Sequence, residues 1–135
     1  MSKKVLVLCT GNSCRSIIAE ALINHTFNGQ IEAYSSGVSA SGRVNPKAKK
    51  ILEENEMWRS SYHSKDIDSI IHIPFDLVIT VCENASQTCP IFPGNTPVKH
   101  MGFDDPDGQE YNAFKLCFEE IKDNLLPYIN SQLIF

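Results

Sequence analysis

The chain has 135 residues, 42% of them hydrophobic, which suffices for one domain with a real core over residues 1–135 and is too short for two independent ones. A formal charge of -4 argues against nucleic acid as a partner, since phosphate-backbone affinity needs a basic face, and no run of roughly 18 to 20 apolar residues is present to span a membrane. Five cysteines, an odd number with none of the spacings of a zinc ribbon or a secreted disulfide scaffold, point to reduced thiols in a cytoplasmic chain, expected to be a monomer.

The start Met-Ser-Lys-Lys enters an apolar run directly, with no cleavage-site pattern, so no removable leader is expected. Lys4 to Cys9 lacks polar alternation and predicts a strand buried on both faces. Gly11, Asn12 and Ser13 form a tight loop, and Ser16 opens a helix with Ile17, Ile18, Ala21 and Leu22, ending near Gly29. Ile31 to Ser35 predicts a second strand closed by Gly37, and Asn45-Pro46 starts a helix carrying Ala48, Ile51 and Leu52. Asp66 to Ile71 reads as a short helix. Asp76 to Val81 repeats the character of the first strand and ends at Cys82, as the first ended at Cys9. After a Pro/Gly-rich loop from Cys89 to Pro97, Val98 to Met101 is the last strand, followed by the turn Asp104-Asp105-Pro106-Asp107-Gly108. A closing helix from about Asn112 carries Phe114, Leu116, Phe118, Ile121 and Leu125, with Pro127 expected to kink or stop it.

This alternation predicts an α/β fold in three layers: a four-stranded parallel open sheet with helices on both faces. Ligands of such sheets bind beyond the C-terminal strand ends, where Cys9, Cys82 and the loop at Asp105 all fall.

Cys9-Thr10-Gly11-Asn12-Ser13-Cys14-Arg15-Ser16 puts five residues between a cysteine and an arginine, between a buried strand and a helix start. The five residues Thr10, Gly11, Asn12, Ser13 and Cys14 can curl so that their N–H groups, joined by those of Arg15 and Ser16 at the helix start, face one tetrahedral anion. Arg15 adds a planar fork for two oxygens. The expectation is a Cys9 thiolate favoured by this field; lowering a thiol pKa by about 2.5 units takes roughly 3.4 kcal/mol. Ser16 is expected to bond the Cys9 sulfur or cap the helix, and Asn12 to adopt a left-handed conformation.

With Ala19-Glu20, Tyr34-Ser35-Ser36-Gly37, Val44-Asn45-Pro46, Asp76-Leu77-Val78 and Gly102-Phe103-Asp104-Asp105-Pro106, that loop resembles the low-molecular-weight protein tyrosine phosphatase superfamily over nearly the whole chain. Within it, Cys82 and Cys89 resemble the pair of the thioredoxin-coupled arsenate reductases. The resemblance implies that Cys9 attacks arsenate and that Asp105 is the general acid. Cys82 then attacks the Cys9 sulfur, arsenite leaves, and a Cys9–Cys82 disulfide passes to Cys82–Cys89 for reduction by thioredoxin, a route of arsenic detoxification. The polar segment Glu83 to Thr88 suits rearrangement after oxidation. No tightly bound cofactor is implied, except that some reductases of this branch carry a potassium ion, at positions matching Asn12, Glu20, Ser35, Ser64 and Asp66. The position that is usually threonine is Ser64 here.

The rival reading is a small phosphatase hydrolysing phosphate monoesters through a Cys9 phosphocysteine. Against it, Asp107-Gly108-Gln109-Glu110-Tyr111 stands where paired tyrosines often follow the Asp-Pro of the phosphatases. A redox or anion sensor without turnover is a third reading. Cys14 and Cys117 are expected to pack, His25, His63, His72 and His100 lack a zinc-ligand spacing, and Trp58 is expected at a core or helix-end contact.

Overall fold

A computed structural model describes residues 2–87, 89, 92 and 95–134. Its elements are β1 (Lys3–Cys9), α1 (Arg15–Thr26), β2 (Ile31–Gly37), α2 (Pro46–Glu54), a 3-10 turn (Ile67–Ser69), β3 (Leu77–Thr80), α3 (Glu83–Gln87), β4 (Val98–His100) and α4 (Tyr111–Leu133). The four strands are parallel, in the order β2-β1-β3-β4. The absence of polar alternation in β1 and β3 now has its reason: Val5 to Cys9 and Leu77 to Thr80 are buried without a break, so both sheet faces are covered.

Helix α1 is buried from Ser16 to Asn24, around its whole circumference, packed on β2 and α4. Helix α2 is one-sided, with Ala48, Ile51 and Leu52 inward, and starts where Asn45 accepts the Lys47 N–H at 2.8 Å and Pro46 needs no donor. Two expectations are corrected. Pro127 lies inside α4, which runs to Leu133, because the ring is on the exposed side and the carbonyl it leaves unpaired one turn back can meet water. The segment between Cys82 and Cys89 includes a short helix that buries Ala85, where its small, polar residues suggested rearrangement rather than a fixed core element.

Candidate active site

The cavity at the C-terminal edge of the sheet is built by the turn from β1 into α1. Its carbonyls point outward. Those of Cys9, Thr10, Gly11 and Ser13 accept the N–H groups of Val38, Ser39, Ser41 and Asn45 at 2.9 to 3.0 Å, so the segment after β2 grips the outside of the turn. The N–H groups from Gly11 to Cys14 donate to nothing among the described residues, which is the arrangement that receives an anion. Gly37 makes the grip possible, since a Cβ there would stand 2.4 Å from the Thr10 carbonyl oxygen.

Asn12 braces the turn from within, at φ 50°, as its residue type suggested. Its fully buried amide donates to Ser16 Oγ at 2.8 Å and Ser35 Oγ at 3.0 Å and accepts the Lys65 N–H at 2.9 Å. Ser35 in turn donates to Glu20 Oε1 at 2.5 Å. The expectation for Ser16 is corrected: its hydroxyl serves Asn12, the residue preceding α1 is Cys14 without a side-chain cap, and Ser16 does not line the cavity. The cavity of about 250 Å³ is lined by Cys9, the turn through Arg15, Ser41, Asp105 and Asp107. That is below the roughly 300–1,000 Å³ of pockets for drug-sized ligands and suits a small ion.

Arg15 reaches across the cavity mouth to the connection between β4 and α4. Nη1 donates to the Phe103 carbonyl at 2.9 Å, Nη2 lies 3.4 Å from Asp105 Oδ2, and buried Nε has no partner among the described residues. The fork is thus oriented by one carbonyl, with a donor left over for a guest. Asp105, half exposed, also accepts the Asp107 N–H at 3.0 Å.

Cys82 meets Cys9 from the end of β3. Thr10 Oγ1 lies 3.2 Å from Cys82 Sγ and accepts from Asn84 Nδ2 at 3.1 Å, which leaves its own hydrogen for the sulfur. Ala85 N–H donates to the same sulfur at 3.4 Å, and the two thiols lie close enough to influence each other's ionisation. Sequence reading assigned Thr10 to anion binding and missed its hydroxyl and Asn84 as partners of Cys82; no local signal reports a contact 72 or 74 positions away. Cys89 lies past α3, half-buried against the core edge, where burial pushes its thiol up.

The two facing thiols ionise unlike each other, and the expectation of an easily ionised Cys9 is corrected. Burial pushes Cys9 up to about 12, opposed by the Arg15 guanidinium and the Thr10 N–H and reinforced by Cys82. Cys9 as a residue is 4% exposed, and the fork that was to favour its charge is partly spent on Phe103 and Asp105. Burial also disfavours the Cys82 thiolate, but the Thr10 hydroxyl, the Ala85 N–H and the Cys9 thiol outweigh it and lower its pKa. Of the two, Cys82 gives up its proton the more readily.

Of the oxygen residues singled out for potassium, Asn12, Ser35 and Glu20 form one buried chain of hydrogen bonds. Ser64 and Asp66 are instead turned to neighbouring backbone: Ser64 Oγ joins Gly11 O and the Gly42 N–H, both at 3.1 Å, and Asp66 Oδ1 accepts the Ala40 N–H at 2.8 Å. Cys14 and Cys117 are buried, as packing predicts, and burial pushes them up to about 11 and about 12. His100 bonds Thr80 Oγ1 at 2.9 Å, and Trp58 packs edge-on against Tyr62.

Comparison with known proteins bears on this geometry. The family model described as low molecular weight phosphotyrosine protein phosphatase matches residues 4–133. A Staphylococcus aureus (strain N315) protein named arsenate reductase is 41% identical over 120 residues, 89% of this chain and 91% of that protein. The crystal structure of an arsenate reductase from Archaeoglobus fulgidus DSM 4304 superposes with TM-score 0.79 at 28% identity, covering 93% of this chain and 98% of that one. A low molecular weight protein tyrosine phosphatase from T. tengcongensis, at 24% identity and TM-score 0.81 over 96% of this chain and 99% of that one, shares the fold.

Proposed function

Since the chain belongs to the low molecular weight phosphotyrosine protein phosphatase family, we propose that it is an arsenate reductase working through Cys9, Cys82 and Cys89 with a thioredoxin-type dithiol as reductant. The observation that carries this reading is a second thiol, Cys82, beside the anion cavity, its sulfur met by the hydroxyl of Thr10 from the cavity wall at 3.2 Å and by the Ala85 N–H at 3.4 Å. Hydrolysis of a phosphocysteine has no use for it.

In the first step the Cys9 sulfur bonds to arsenic and one arsenate oxygen leaves as water with a proton delivered by Asp105. The proton that Cys9 gives up equals the one that departs in the water, so it restores Asp105 to its acid form. Arg15 and the inward N–H groups hold the oxygens. In the second step the Cys82 sulfur attacks the Cys9 sulfur and its proton passes to an oxygen of the departing arsenite. The S–As bond breaks, its electron pair stays on arsenic, arsenite leaves and the Cys9–Cys82 disulfide remains. Two thiols are oxidised as arsenic(V) becomes arsenic(III). Cys89 then displaces Cys9 from Cys82. A disulfide needs Cα atoms within about 7 Å, so closing Cys82 on Cys89 requires α3 between them to unwind at least in part.

Potassium is kept as a part of the proposal at Glu20, Ser35 and Asn12. Glu20 is 6% exposed with no ion pair among the described residues, and burial pushes it up to about 7 against the pull of Lys65, the Ser35 hydroxyl and Arg59. Such a hard oxygen donor set fits a hard cation, whose positive charge would keep Glu20 ionised and stiffen the Asn12 brace.

The test is arsenate-dependent NADPH consumption with thioredoxin and thioredoxin reductase. Wild type consumes NADPH; Cys82→Ser loses at least about 10³-fold, since the step that releases arsenite has lost its nucleophile. Undiminished consumption by Cys82→Ser refutes the relay, and hydrolysis of an aryl phosphate without arsenate reduction establishes the phosphatase reading instead.

A further inference from the structure

The anion cavity has an acidic rim, and one rim carboxylate takes no part in the reaction above. Asp107 lines the cavity with Cys9 and Arg15 and is fixed from two sides. Its N–H donates to Asp105 Oδ1 at 3.0 Å, and its Oδ1 accepts from Asn45 Nδ2 at 2.8 Å. The other amide atom of Asn45 accepts the Lys47 N–H at 2.8 Å as the cap of α2, so the amide cannot turn over without losing both bonds. Asp107 thus bridges from the connection before α4 to the start of α2, and its second carboxylate oxygen has no hydrogen-bond partner among the described residues.

A carboxylate beside an anion is repulsive unless a proton lies between them. An ionised carboxylate only accepts, and an oxyanion that carries a hydroxyl can donate to it in a charge-assisted bond about twice as strong as a neutral one. Inorganic arsenate and phosphate keep at least one hydroxyl at neutral pH. Sulfate keeps none, and a phosphate monoester, with a second pKa of about 6, has mostly lost its own.

We propose that Asp107, held at the cavity mouth by Asn45, is a specificity-determining residue that accepts a hydrogen bond from a hydroxyl of the bound oxyanion. The cavity thereby selects free, protonated tetrahedral oxyanions and turns away fully ionised ones. This rests on the reading of the cavity as an oxyanion site and names the substrate class within it. The attraction to the hydroxyl and the repulsion of its absence act together, which is how a site separates two ions of one shape.

The test compares inorganic phosphate with sulfate by calorimetric titration of the reduced full chain at pH 7 and constant ionic strength, in wild type, Asp107→Asn and Asp107→Ser. Asn preserves the shape and an acceptor for Asn45; Ser removes the carboxyl with less demand on the loop. Thermal melts identify any variant that does not fold. Wild type is expected to prefer phosphate by about tenfold or more, and either folded variant to cut that preference to about threefold or less, mainly by gaining sulfate affinity. A preference unchanged by both substitutions, or none in wild type, overturns the role of Asp107 while leaving the oxyanion site standing. Failure of wild type to bind either anion overturns both.

Discussion

The ends of β1 and β3 lie side by side, each delivering a cysteine from a fully buried strand, yet the chain continues from them in opposite ways. After Cys9 the backbone is held on the outside by four N–H groups and on the inside by Asn12, and it enters a 12-residue helix buried nearly all round. After Cys82 it makes five helical residues of which only Ala85 is buried. The first end is a fixed receptacle whose sulfur keeps its proton; the second is lightly held and its sulfur gives the proton up more readily. Chemistry that begins on one sulfur and finishes on another needs this inequality, because the receptacle must not deform while the carrier must travel.

The contrast is tested most severely at the travelling end. Cys89→Ser should stop multiple turnover by at least about 10³-fold and leave a trapped Cys9–Cys82 disulfide after one equivalent of arsenate, seen by mass spectrometry of peptides alkylated before digestion. Accumulation of reduced Cys9 instead would mean that Cys82 has another route of resolution.

At the fixed end, Glu20→Gln probes the support beneath Asn12. A carboxyl whose folded pKa is raised, from 4.5 to about 7, retains protons that the unfolded chain has released, so wild-type stability falls as pH rises through that window. The substitution removes this loss. It should be near neutral at pH 4 and stabilise by up to about 3 kcal/mol at pH 8 in sodium buffer, measured by denaturant melts. Added potassium should raise the melting temperature of wild type and not of the variant; equal responses remove the cation from the proposal.

The smallest effect lies where the two ends touch. Thr10→Val deletes the hydroxyl between cavity and carrier and should raise the Cys82 pKa in the pH profile of its alkylation, slowing arsenite release by about tenfold, the lower range for a hydrogen bond to a charged group. Thr10→Ser should restore both. A Val variant with an unmoved profile would assign the lowered pKa to Ala85 N–H, Cys9 and the Arg15 charge instead.

Much of the receptacle was legible in the chain because it is local. The five-residue spacing, the left-handed Asn12, the cap at Asn45 and the two uninterrupted strands all follow from neighbours a few positions apart. Its electrostatics were not. Whether Cys9 keeps its proton depends on how deeply it is buried, and on Arg15 being drawn to Phe103, 88 positions away. Composition suggested the mobility of the segment after Cys82 but not its helical resting form. Pro127 misled for a different reason: a missing donor is costly only where the carbonyl it strands is kept from water, and α4 turns that side outward.

Gly37 ties these regions together. It belongs to neither sulfur's element, yet the absence of one carbon atom there lets the Thr10 carbonyl approach β2, and the same Thr10 carries the hydroxyl that touches Cys82. The seating of Thr10 against Cys82 is therefore gauged by a third strand, like a shim left out of a joint. Widening that joint by a methyl group would displace Thr10 and, through it, a contact to Cys82 that residue 37 does not itself make.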